Sequence, residues 1–123
     1  MNKDEFVEYL NGYTDGEKAY ENLINQKKYF RINTLKIKIE EFKKISKLKC
    51  VQSKYLEEGF EFSGKEKLGN TWEYFLGFIH PQSLSSMVVS KALDPKEREY
   101  MLDMTSAPGG KTTHMSALMN NTG

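Results

Sequence analysis

Cysteine is almost missing from this chain. Cys50 is the single one among 123 residues, so no internal disulfide can form. One thiol between Lys49 and Val51 fits a reducing, cytoplasmic setting and is expected to be a half-buried strand residue. No apolar run approaches the ~18 residues of a membrane span. The charged opening, Met1-Asn2-Lys3-Asp4-Glu5, is not expected to be a leader, so the Asn120-Asn121-Thr122 glycosylation pattern is taken as chance. The two histidines, His80 and His114, lie far from Cys50 in sequence and show no metal-ligand spacing, and no metal is expected. Internal repeats and low-complexity tracts are missing too.

Net charge is nearly missing as well, at +1, but that average conceals three blocks. Residues 1–26 carry −4, residues 27–54 carry +8 from ten Lys or Arg against Glu40 and Glu41, and residues 55–123 carry −3. A local field of +8 attracts phosphate backbones. The competing account is a solvated helix face rich in lysine.

What is present reads as an α+β pattern. Phe6, Val7, Tyr9 and Leu10 predict a short helix ending near Asn11-Gly12. Asp15 can cap a second helix through Lys28, with Ala19, Tyr20, Leu23 and Ile24 on one face. Tyr29 to Asn33 alternates like a strand. Ile39, Phe42, Ile45 and Leu48 fall at helical spacing, with Lys43, Lys44 and Lys47 on other faces. Cys50 to Tyr55 and Gly59 to Phe62 read as two strands. Ser63 to Asn70 is a polar connection. Thr71 can cap a short turn, Trp72 to Leu76, which Gly77 breaks. A helix is predicted from Ser83 to Leu93, with Leu84, Met87, Val88 and Leu93 inward, ended by Asp94-Pro95. Tyr100 to Met104 predicts a short apolar strand. A Gly/Pro loop comes next, then a helix from about Lys111 to Met119.

That strand, loop and helix carry the chemistry. In doubly wound folds, anionic ligand groups bind beyond the carboxyl end of a strand. Glycines there allow close approach to the backbone, and the helix start offers unpaired N–H groups and partial positive charge. A nucleotide phosphate loop needs G-x-x-x-x-G-K-[ST]. Gly110-Lys111-Thr112 supplies its end, but the leading glycine is replaced by Thr105. The dinucleotide fingerprint G-x-G-x-x-G is missing too. A strand, an acidic residue, a small-residue loop and a glycine pair suit the amino-acid end of S-adenosylmethionine, with its carboxylate at the helix start. A plain Gly-Pro turn between strand and helix remains the alternative.

The segment Asp103-Met104-Thr105-Ser106-Ala107-Pro108-Gly109-Gly110-Lys111-Thr112-Thr113-His114 resembles the first cofactor motif of the Nop/Sun family of RNA (cytosine-5) methyltransferases. Family members typically carry Cys or another small residue at the place of Thr105. Arg31-Ile32-Asn33-Thr34-Leu35-Lys36 resembles the family's N-terminal signature. Tyr74-Phe75-Leu76-Gly77, followed by Pro81-Gln82-Ser83-Leu84-Ser85-Ser86-Met87, resembles the segment ahead of its cofactor domain. The wording is nearest to archaeal members that act on transfer RNA. Residues 1–28, read above as a helical extension, lie outside the resemblance, which implies a small α+β RNA-recognition-like module over 29–76 and, over 77–123, the first strand and helix of a Rossmann-type methyltransferase domain, incomplete. It implies S-adenosylmethionine as cofactor, held by Thr105, Ser106, Ala107, Pro108, Gly109, Gly110 and Lys111. It also implies RNA, in particular tRNA, as partner; Arg31 and lysines of the +8 block, among them Lys27, Lys28 and Lys36, can track its backbone. Structural hydrogen bonds from Arg31 and Asn33 are the competing account.

The same resemblance implies attack by a cysteine thiolate on the cytosine ring. It places both functional cysteines after the cofactor loop, one behind a proline and one behind a threonine. Neither motif occurs in these residues, and Cys50 matches neither. The acidic residue expected to hold the cofactor ribose is not here either. The chain is therefore expected to be an N-terminal fragment, inactive alone. The alternative is an RNA-binding accessory protein, or half of a split enzyme that pairs with a separate catalytic chain. Residues 77–123 are expected to be loose unless the N-terminal module or a partner covers them. Gln82, Ser85 and Ser86 can line a pocket or simply cap and pack the helix. Trp72, Tyr74 and Phe75 are expected to pack rather than stack on bases, and His114 to sit on the helix surface.

Overall fold

The structure is a computed structural model describing residues 1–123. It begins with a helical hairpin, α1 (Lys3–Asn11) and α2 (Gly16–Ile24). Asn2 and Glu5 form a reciprocal capping box at the start of α1, and Asp15 accepts from the Lys18 amide to cap α2. The helices cross where Gly16 lies against the Val7 carbonyl, a spot with no room for a side chain. The hairpin packs mainly on itself.

Next in the chain is a four-stranded antiparallel sheet, in the order β2-β3-β1-β4. Its strands are β1 (Lys28–Ile32), β2 (Cys50–Gln52), β3 (Gly59–Phe62) and β4 (Ile79–Pro81), with α3 (Ile39–Ile45) between β1 and β2. Successive strand residues point to opposite faces. Phe30 and Ile32 of β1, Phe60 and Phe62 of β3 and Ile79 of β4 share one face, and Phe42 of α3 closes over it. Phe30 stacks on Phe60 at 5.6 Å between ring centroids, and Phe42 meets both rings edge-on at 5.9 and 5.8 Å. Burying one such ring stabilises by about 1.5–3 kcal/mol.

The other face turns toward α5 (Leu84–Leu93) and α6 (Gly110–Leu118). Arg31 and His80 are a cross-strand pair on this face, and Gly59 is the β3 partner of Arg31. Gly59 leaves space for the Met87 sulfur of α5. The sheet thus covers part of the segment after residue 77: Met87 lies against Gly59, and Thr113 is bonded to Arg31.

Several sequence expectations change. The second helix stops at Ile24, because Lys28 joins β1 and pairs with Phe62. The third stops at Ile45, although Leu48 still packs on the core. Strand β4 has no counterpart among the expected elements. Three residues are too few to show a period, and its final Pro81, which has no N–H to give, fits an edge. It lies beyond the junction expected after residue 76, yet hydrogen-bonds to β1 and so ties the two expected units together. The expected strand at 100–104, the first of a Rossmann-type sheet, is not formed. Tyr100 and Leu102 are 97% and 85% exposed, with no neighbouring strand to take their backbone hydrogen bonds. On α5, Met87 and Ser90 face inward, while Val88 and Leu93 are exposed.

Candidate functional site: the loop before α6

The loop after residue 102 is held by one carboxylate. Asp103 accepts from the Thr105 amide at 2.9 Å, the Thr105 hydroxyl at 3.3 Å and the Thr112 hydroxyl at 2.7 Å. The Thr112 bond, then the Thr105 amide, hold the Asp103 carboxyl below its ordinary value. Asp103 therefore ties the loop's entrance to the first turn of α6.

Gly109 stands at φ +96°, in the left-handed region where a Cβ is strained, and no side chain caps α6. The first N–H groups of that nine-residue helix have no intrahelical partner. They border a cavity of about 220 Å³. All seven expected cofactor residues, Thr105 to Lys111, line it, together with His80, Pro81, Gln82, Ser83 and Ser86. Of the pocket candidates ahead of α5, Gln82 and Ser86 line it and Ser85 does not. Gln82 donates to the Ser86 hydroxyl at 3.2 Å.

The cavity's rear wall is fixed to the sheet. Arg31 donates through Nε to Gln82 at 3.2 Å and through Nη2 to the Thr113 hydroxyl at 3.0 Å. Thr113 in turn donates to the Gly109 carbonyl at 2.7 Å. Two bonds thus separate a sheet arginine from the left-handed glycine. Arg31 is 1% exposed, so it does not track RNA across the surface as expected. It lies on the strand face that α6 covers. Lys27, Lys28 and Lys36 are exposed. Lys27 pairs with Glu61 at 2.9 Å, and Lys36 donates to the Leu76 carbonyl at 3.0 Å.

His114 is also buried, contrary to expectation. Its Nε2 lies 2.8 Å from Glu58, and Lys91 of α5 reaches the same carboxylate at 3.7 Å. Burial pushes the Glu58 carboxyl up, but bonding to His114 and to its own backbone, with the Lys91 charge, leaves it below the ordinary value. Sequence spacing holds no sign of this pair, because 56 residues separate its members. Trp72 and Phe75, expected to pack, are 76% and 78% exposed on the one-turn helix α4 (Trp72–Phe75) and touch each other edge-on. The sheet core is already filled from α3. Cys50 is half-buried in β2, and burial, then Glu73, push its thiol up, the opposite of what a nucleophile needs.

Residues 90–123, which contain this loop and α6, match the family described as 16S rRNA methyltransferase RsmB/F. Over 100 residues the chain is 41% identical to ribosomal RNA small subunit methyltransferase F of Shewanella sp. (strain MR-4), covering 76% of this chain and 21% of that protein. Over 97 residues it is 42% identical to tRNA (cytosine(49)-C(5))-methyltransferase of Pyrococcus abyssi, covering 76% of this chain and 31% of that protein. Over three quarters of its length the chain is thus similar to RNA methyltransferases, and residues 90–123 carry the RsmB/F family's pattern. It spans about a fifth to a third of the length of these relatives. Identity does not separate the ribosomal from the transfer RNA branch. Among solved structures, a methyltransferase homolog protein from Pyrococcus horikoshii superimposes with a TM-score of 0.77 at 32% identity, over 97% of this chain and 46% of that one. NSun6 from Pyrococcus horikoshii with SFG superimposes with a TM-score of 0.78 at 22% identity, over 97% of this chain and 56% of that one. This last likeness shows the shared fold. No helix of the chain is long and apolar enough to cross a membrane.

Proposed function

We propose that these residues form the RNA-facing module and the cofactor loop of an S-adenosylmethionine-dependent RNA (cytosine-5) methyltransferase acting on tRNA. The observation that carries this reading is the cavity at the uncapped start of α6, walled by Thr105 to Lys111. The N–H groups of Gly110 and Lys111 would hold the cofactor's amino-acid carboxylate, since helix charge favours an anion there. Glycine at 109 and 110 keeps the approach open. Bound there, the cofactor supplies an electrophilic methyl group. Arg31, Thr113 and Asp103 hold the loop in place for it. The exposed lysines of residues 27–54 attract the RNA backbone.

No residue of this chain is positioned as the thiolate nucleophile, and Cys50, on the far strand β2, is not adapted for the role. The 123-residue chain alone is therefore proposed to bind the cofactor without methylating RNA. Isothermal titration with S-adenosylmethionine tests binding. Saturable heat that Gly109→Val abolishes supports the reading, and no binding by a folded chain refutes it. Methyl incorporation into tRNA by the purified chain would refute the inactivity.

A further inference from the structure

His80 lines a second cavity as well, of about 350 Å³. Its polar walls come from Arg31, Asn33, Tyr74, His80, Thr113 and Ser116, and no carboxylate lines it. Arg31 is fully buried here and keeps its charge at neutral pH, since burial lowers its pKa only to about 10. Its two hydrogen bonds go to neutral side chains, Gln82 and Thr113. Its third nitrogen, Nη1, is buried with no partner at all. Glu58, the carboxylate whose charge acts on it, is engaged by His114 and Lys91 instead. A buried cation without a counter-ion is costly. Such a site is completed by an anion that a guanidinium can grip, and a phosphate oxygen fits that fork.

The surroundings favour the same ligand. Tyr74 lines the cavity and carries a hydroxyl that can donate. Burial, then the adjacent Arg31 charge, lower the His80 pKa, so its ring is neutral at pH 7 and adds no competing charge. Gly77 lines the cavity and lies against the Lys36 ammonium, which places a second cation beside it. Because His80 borders both cavities, a group seated here lies next to the cofactor loop.

We propose that this cavity seats one phosphate group of an RNA backbone on Arg31, adjoining the cofactor loop. The inference rests on the RNA reading above, and it assigns Arg31 an interior contact in place of a surface one. The test is NMR of the 123-residue chain at constant ionic strength, following the Arg31 Nε–H and the Thr113 amide. Inorganic phosphate is titrated first, then a single-stranded oligoribonucleotide. Phosphate is expected to shift both signals saturably, and the oligoribonucleotide to displace it with the same shifts. Arg31→Lys should weaken phosphate at least ~10-fold, the scale of one charge-assisted hydrogen bond. Tyr74→Phe, which removes only a hydroxyl from an exposed residue, should weaken it a few-fold and guards against a folding defect in the first variant. If the oligoribonucleotide binds while Arg31 and Thr113 stay unmoved, the RNA reading survives and this inference fails. If phosphate shifts Arg31 but bound oligoribonucleotide does not displace it, the RNA source fails. If no oligoribonucleotide binds anywhere, both fall together.

Discussion

The two faces of the sheet do different jobs with the same strands. One face is dry and aromatic, with the Phe30 ring in contact with those of Phe42, Phe60 and Phe62. The other carries Arg31 and His80, with Glu58 and His114 buried nearby, and holds α6 behind the loop of residues 105–111. Adjacent residues of β1, Phe30 and Arg31, belong to opposite sides of this division. Apolar packing is non-directional, so it stabilises without fixing where a helix starts. Hydrogen-bonded charge is directional, so it sets the position of α6 to within the tolerance of a bond.

Substitutions on the two faces should therefore differ in kind, and the largest effect falls on the aromatic one. Phe30→Ala should cost about 3–5 kcal/mol in urea unfolding followed by circular dichroism. It should lower the whole transition, with no selective loss at α6. Glu58→Gln should cost less, about 1–3 kcal/mol, and act locally. Hydrogen exchange should quicken in the amides of α5 and α6 while β1 and β3 keep their protection. Uniform quickening would erase the distinction between the faces. The same carboxylate gives a pH signature. Its folded pKa lies below the ordinary 4.5, so its stabilisation is present above that pH and is lost as pH falls through and below it. A thermal melt series should show Glu58→Gln converging on the parent in acid.

Smaller effects test the loop and the surface. Gly109→Ala forces a Cβ into φ +96° and should cost about 1–2 kcal/mol, read as a matching loss of S-adenosylmethionine affinity by titration. Lys28→Ala should weaken RNA evenly across sequences and lower the slope of log K against log salt by about 1. A salt-independent loss would mean that Lys28 touches no phosphate.

The aromatic face was legible in the sequence because its signals are local. Alternation marked β1, helical spacing marked α3, and Asp15 and Thr71 marked their caps. The loop was legible as a motif, and all seven residues singled out line one cavity. The polar face was not, since its contacts join distant segments: Glu58 to His114, and Arg31 to Gln82 and Thr113. His114 looks like a surface residue until the sheet lies beneath α6. Tyr100 to Met104 shows the opposite failure. Its composition suits a strand, but a strand exists only with a neighbour to bond to, and sequence composition says nothing about neighbours.

Strand β4 ends in Pro81 at the outer margin of the sheet. A ring nitrogen there makes that margin a poor template: an approaching strand finds a missing rung where it needs a donor. Growth on that side stops within the molecule's own sequence.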